Sequence, residues 1–440
     1  MGMAQTAGLD SSMLPGRPEQ GDWTTIGLVG AAHASSHFFQ LVIPSLFVPL
    51  GQAFALDFVQ LGFLMTLFFV VSGFGQAASG FVVDRIGARP VLWFGVACFL
   101  VAALVLYAAT GYGTLMLAAL IGGIGNAVFH PADFSILNHR VQPSRLGHAF
   151  SIHNVTGTLG WALSPVFVVG LTALFGWRSA ALAVALLMAL VLVLIVLGRE
   201  SLEVPGTREL NRRASEGEKS SEVFGDVRDE EHRLKSPGVL ATLRQLLASP
   251  ALWGAFLFFC CATVALSAVQ NYTIPLMGSL YGMAAVAAGS VITAYMVGQI
   301  VGMLAGGFLV NATPRTELVV LASLLLSATM FVLLASGVVP GYMAMFIMSM
   351  AGFFSGASAP SRDMMVRKVT PKRSVGSVYG LVYSGMDVGS ALGPLMFGIV
   401  MDWGWERGPW MGAALAFVVG AMLAAHIGRY SRMSPSAATA

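Results

Sequence analysis

Charge is what this sequence has least of. Only 10% of its 440 residues are Asp, Glu, Lys or Arg, while 56% are hydrophobic. A soluble chain carries about 25% charged residues. A surface so poor in charge excludes an array of water-soluble domains and makes lipid the solvent for most of the chain. The net charge of +3 is diluted over many loops, which excludes the concentrated basic face that nucleic acid requires. Cysteine is nearly missing: Cys98, Cys260 and Cys261 lie in apolar runs with neither disulfide nor metal-ligand spacing. The first residues lack the basic segment and short apolar core of a cleavable signal peptide. No His-Glu-x-x-His zinc pattern, Ser/Lys pair or paired acids stand at catalytic spacing, so neither an enzyme nor a cofactor is expected.

What the chain has in abundance is long apolar runs. A membrane helix needs about 20 such residues. They fall near 25–50, 58–82, 91–110, 114–137, 147–173 and 178–198, then near 250–277, 285–310, 317–336, 340–365, 375–401 and 410–428. The expected fold is therefore all-α, with twelve transmembrane helices in two six-helix bundles at 25–198 and 250–428. Residues 1–24 and 429–440 read as tails, and 199–249, where Arg208, Glu209, Arg212, Arg213, Glu216, Glu218 and Lys219 crowd together, as a solvated linker. Basic residues concentrate in loops after even-numbered spans (Arg85, Arg89, Arg140, Arg145, Arg315, Arg367, Lys368, Lys372, Arg373), with only Arg178 and Arg407 opposite. This asymmetry predicts that both termini and the linker face the cytoplasm.

The two halves repeat. At a shift of 227 residues Gly62 meets Gly289, Thr66 meets Thr293, Gly75 meets Gly302 and Phe81 meets Phe308. At 228 to 229, Pro131 meets Pro360, Gly160 meets Gly389 and Pro165 meets Pro394. Parallel six-span repeats are an architecture in which two bundles rock about a central site.

The loop after the second span reads Gly80-Phe-Val-Val-Asp84-Arg85-Ile-Gly87-Ala-Arg89. It resembles the loop 2–3 signature of the major facilitator superfamily, a resemblance that extends over the whole chain. By that resemblance, Asp84 helps hold the halves together on the cytoplasmic side. Its counterpart after the eighth span, Gly307-Phe-Leu-Val-Asn311-Ala-Thr-Pro-Arg315, lacks the acid. Within the superfamily, Gly123-Ile-Gly125-Asn-Ala-Val-Phe129-His130-Pro131, the Ser151–Pro165 segment and His33-x-x-x-His37-x-x-Gln40 resemble the fosmidomycin-resistance branch of efflux carriers. This chain departs from that branch at His37 and Ala132, where acids are usual.

Ionisable groups inside a membrane helix cost about 2.5–3.5 kcal/mol on insertion scales, so each demands a role. His33, His37 and Gln40 share one face of the first span; Asn126, His130 and Asp133 follow helical spacing in the fourth; His153 and Asn154 come from the fifth. At 1.5 Å rise per residue, His33, His130 and His153 each lie about 10–12 Å from the cytoplasmic ends of their spans, at one level. Imidazole exchanges protons in the physiological range. The cluster is a candidate proton site or ligand for an anionic group, with backbone-bonded packing histidines as the plainer reading and a metal site as the least favoured. In the second half, Gln270 and Asn271 on the seventh span and Asp387, the lone acid deep in the eleventh, are the further candidates. Arg362 is the repeat counterpart of Asp133, which suggests a gate pair across the halves.

These observations predict a monomeric, multi-pass carrier of the bacterial inner membrane that exports a small polar or anionic organic compound and is coupled to protons. The alternatives are an importer of an organic acid or a metal ion, or a non-transporting sensor or assembly partner with the same fold.

Overall fold

A computed structural model of the chain describes residues 20–204, 250–369 and 375–433. The expectations for the first 19 residues, for Lys372 and Arg373 and for linker residues 205–249 lie outside this range. Among the described residues every regular element is a helix.

Ten helices are long and apolar enough to cross a membrane. One of them, Leu146–Leu197, is two spans joined at Gly176, whose φ of 81° bends the chain where a side chain would be strained. The first span is interrupted, and its longest piece is diluted by His33, His37, Gln40 and several Ser and Thr residues, so it is not among the ten: Gln20–Gln40, Val42–Ser45 and Phe47–Phe54 follow one another almost without a loop. Twelve spans result. The remaining ones are Phe58–Ile86, Ala88–Tyr107, Tyr112–Arg140 (the fourth, broken at Ala127 and Val128), Pro250–Tyr281, Ala285–Ala312, Thr316–Ser336, Gly341–Val369, Val375–Asp402 and Gly408–Met433. An even number of spans puts residues 20 and 433 at one end of the bundle, called here the terminal end.

Eight spans pack in a closed ring, in the order two, four, one, five, eight, ten, seven, eleven and back to two. Spans three, six, nine and twelve pack outside it. On the sixth span Leu182, Leu186, Leu190, Val193 and Leu197 are exposed at spacings of three and four, an apolar stripe suited to lipid.

Repeat-related contacts join the halves. Thr66 Oγ1 donates to the Ala391 carbonyl at 2.7 Å, and its counterpart Thr293 donates to Ala162, the counterpart of Ala391, at 2.6 Å. A Cβ on Gly62 would lie 2.4 Å from the Pro394 carbonyl oxygen, so only glycine permits that approach. At the end opposite the chain termini, Asp402 accepts from the backbone amides of Phe58 (3.0 Å) and Val59 (2.7 Å), capping the second span from across the interface. Toward the terminal end, Phe74, Phe81 and Phe308 are exposed, and a Cβ on Gly80 would meet open space.

The stretch after the sixth span differs from the expected solvated linker at its start. Arg199–Leu202 forms a turn of 3-10 helix with Leu202 fully buried. Thr25 Oγ1 donates to the Ser201 carbonyl at 2.8 Å, and Arg89 pairs with Glu203. The charge-rich composition of 205–219 masked this short apolar anchor, Leu202 and Val204.

Candidate functional site

The site is built on spans one, four and five, whose backbones come close because two glycines of the fifth span leave room. A Cβ on Gly160 would sit 2.2 Å from the Ala34 carbonyl oxygen, and one on Gly157 would sit 2.8 Å from His33 Nε2 and 3.0 Å from His37 Cε1. The space withheld from these side chains is filled by imidazoles.

Asp133 is the centre of the cluster. It is fully buried, and its Oδ2 lies 3.1 Å from His33 Nδ1 and 3.1 Å from His153 Nε2. Burying a lone carboxylate costs several kcal/mol unless donors compensate; two ring N–H groups do so here. The His33 and His153 rings stack with centroids 3.5 Å apart, and His33 also lies 4.5 Å from His37 and 5.4 Å from His130. Three buried polar atoms stay without a protein partner: Asp133 Oδ1, His153 Nδ1 and His37 Nδ1. His130 is exposed, although its helix is flanked by spans one, two, three and five. Its open surface therefore faces the space enclosed by the ring.

The fourth span is broken just before this cluster for a local reason. Pro131 has no N–H to give the Ala127 carbonyl four residues back. The freed oxygen lies 3.0 Å from Ser79 Oγ of the second span, whose one hydroxyl proton it shares with the Gln76 carbonyl, also at 3.0 Å.

A polar chain leads from the cluster toward the opposite end. Trp161 lies against the His37 ring at 4.2 Å and donates Nε1–H to Gln40 Oε1 at 2.9 Å. Gln40 Nε2 donates to Asn126 Oδ1 at 2.9 Å, and Asn126 Nδ2 donates to Ser72 Oγ at 2.7 Å. Sequence reasoning missed Ser72, Ser79 and Trp161. Trp161 falls two turns after His153, a signal that was legible; the two serines carry none.

The structure thus brings together His33, His37, Gln40, Asn126, His130, Asp133 and His153. Asn154 does not join them, because one residue after His153 turns about 100° around the helix. Its side chain is exposed, and its carbonyl accepts from Thr158 at 3.1 Å. The Asp133–Arg362 pair is not formed: Asp133 is turned into its own half, while Arg362 Nε donates to Asp363 at 2.9 Å and its guanidinium lies 4.8 Å above the Phe259 ring. In the second half, Asn271 Nδ2 donates to the Ser267 carbonyl at 2.8 Å, and Gln270 is buried with Nε2 unpartnered. Asp387 lies at the seam with the second span, its Cβ 3.4 Å from where a Gly73 side chain would begin.

At the terminal end, the signature loop is a one-residue turn. Gly87, with φ 89°, separates Phe58–Ile86 from Ala88–Tyr107. Asp84 and Arg85 are exposed there. Arg89 is committed to Glu203 and lies 5.2 Å over the Trp93 ring. A second anchor joins the buried Asp22 to Arg145 Nη1 at 3.4 Å.

Comparison with known proteins agrees with this architecture. The fosmidomycin resistance protein of Escherichia coli K12 is 26% identical over 390 residues, covering 86% of this chain and 87% of that protein. A probable nitrate/nitrite transporter of Mycobacterium tuberculosis, NarK2, is 24% identical over 80% of this chain and 84% of its own length. Among solved structures, a bacterial homologue of the human lysosomal transporter Spinster, inward-facing and unoccupied, superposes with a TM-score of 0.66 at 15% identity, covering 95% of this chain and 98% of the other. The family profile described as Major Facilitator Superfamily matches residues 29–284 and 267–438, and with twelve spans in two repeated halves the chain belongs to that superfamily, resembling its fosmidomycin-resistance branch.

Proposed function

We propose that this protein is a proton-coupled carrier that exports a small polar or anionic organic compound from the cytoplasm by alternating access. The observation that supports the coupling is the buried Asp133 carboxylate shared by His33 and His153 at 3.1 Å, beside an exposed His130. A carboxylate between imidazoles can hold or release a proton with small movements of the rings. His130 gives that proton, or an anionic group, a way in from the enclosed space. Asp387, at the seam between the halves, is the second candidate to carry a proton as the bundles move. The termini are proposed to face the cytoplasm of a bacterial inner membrane, and the working unit to be the monomer.

Purified protein in liposomes, with fosmidomycin and nitrate as first probes, tests this. Export predicts that a proton gradient directed into the cytoplasmic side drives the probe the other way. Movement in the same direction as the protons would replace export by import. Full transport by His130→Ala and by Asp387→Asn against a gradient would remove both groups from the coupling.

A further inference from the structure

We propose that His33, His130 and His153 form a three-imidazole site for a late first-row divalent metal ion of the zinc, cobalt and nickel class, with Asp133 as the group that orients it. One potential ligand atom from each of the three rings lies within 4.8 Å of the others. The rings come from three different spans, so the site is made by the fold and not by a ligand loop, which is why sequence spacing gave it little weight.

The hydrogen bonds of Asp133 give the cluster a polarity that plain packing does not require. His33 Nδ1 and His153 Nε2 both lie 3.1 Å from the same Oδ2, and with Asp133 ionised each of these nitrogens carries the proton of its bond. Each ring's lone pair is thereby left on its other nitrogen, His33 Nε2 and His153 Nδ1. The second of these is buried without a protein partner. A carboxylate behind a histidine, fixing its tautomer and presenting the opposite nitrogen, is the usual outer shell of a metal-bound imidazole. Here one carboxylate serves two.

Nitrogen ligands on a tetrahedral ion at about 2.0–2.1 Å stand roughly 3.4 Å apart. The set must therefore draw in from 4.8 Å, and the His33 and His153 rings, stacked 3.5 Å apart at 23°, must turn out of parallel for both to aim at one ion, with the exposed His130 closing the third side. Its exposure also supplies the path of entry. Three imidazoles leave a fourth position open to the enclosed space, where an anionic oxygen of a transported compound would be a natural ligand. Imidazole ligation favours the late divalent ions over magnesium or calcium, which prefer oxygen. Metal binding requires unprotonated rings and so competes with protons at the same atoms. The inference concerns binding alone, and does not depend on the direction or coupling of transport.

The experiment is a cobalt titration of the metal-stripped full-length protein in detergent, read by visible absorption, followed by competition with zinc. The expected result is one cobalt per chain with nitrogen-ligand d–d bands that zinc abolishes. His130→Ala, at an exposed position, should lose the bands while keeping the melting temperature. Asp133→Asn should weaken binding by about 10- to 100-fold while the three ligands remain. His37→Ala, outside the ligand set, should bind as the parent does. No stoichiometric binding by the parent, or unchanged binding by His130→Ala and Asp133→Asn, would overturn the proposal. Proton-coupled transport that persists in metal-stripped liposomes would leave the functional reading standing without the metal, so the two fail separately.

Discussion

Replacing Asp402 by alanine removes the cap that the eleventh span places on the start of the second. The carboxylate accepts two amides, from Phe58 at 3.0 Å and Val59 at 2.7 Å, that have no earlier helical turn to bond to. Each bond to an ionised acceptor at a helix N-terminus contributes favourably, but the site is exposed, and water replaces part of what is lost. A net cost of about 1–2 kcal/mol follows, a roughly 5- to 30-fold shift toward the arrangement in which this end is apart. Alternating access requires the two halves to separate here at some stage, so the cap should bias which arrangement is populated at rest. Spin labels on Gln52→Cys and Glu406→Cys, in a background with Cys98, Cys260 and Cys261 replaced by serine, report the distance across this end. Asp402→Ala should raise the long-distance population by that factor, and Asp402→Asn, which keeps one acceptor, by less. A folded Asp402→Ala protein with an unchanged distance distribution would refute the reasoning.

Three other substitutions probe the packing and the site. Gly160→Ala forces a methyl to within 2.2 Å of the Ala34 carbonyl oxygen and should lower stability by about 1–3 kcal/mol or more, seen as a lower melting temperature, whereas Gly80→Ala meets open space and should leave it within about 0.5 kcal/mol. Ser79→Ala leaves the carbonyl freed by Pro131 without a donor, a penalty of about 1–3 kcal/mol in the same assay; an unchanged melting temperature would mean that the bond contributes nothing. Asn126→Leu cuts the polar chain between Gln40 and Ser72 and removes the partner of Gln40 Nε2 and of Ser72 Oγ, leaving Gln40 held only by Trp161, so transport rate should fall further than expression; equal losses would mark Asn126 as a purely structural residue.

The architecture was legible because lipid imposes it. An apolar run of sufficient length has one stable solution in a bilayer, and matched prolines and glycines at a constant shift reveal the repeat. The equivalence of Thr66 and Thr293, seen first as an alignment, reappears as two equivalent hydrogen bonds to Ala391 and Ala162. Helical depth also brought three histidines to one level, since rise per residue is fixed. Depth says nothing of azimuth, however. That is why Asn154, placed with His153 by depth, points elsewhere, and why Asp133, a candidate both for the histidine cluster and for a pair with Arg362, serves only the first. The anchor at Leu202 and the pair of Arg89 with Glu203 escaped notice because six residues have no periodicity to read.

The central claim is that the Asp133 cluster couples movement of the halves to protons. Transport by the Asp133→Asn protein in liposomes, measured both as uphill accumulation driven by an imposed proton gradient and as exchange at equilibrium, tests it most directly. Accumulation should be lost while exchange continues, because the moving parts and the seam contacts at Thr66 and Thr293 are intact. Accumulation equal to that of the parent would contradict it.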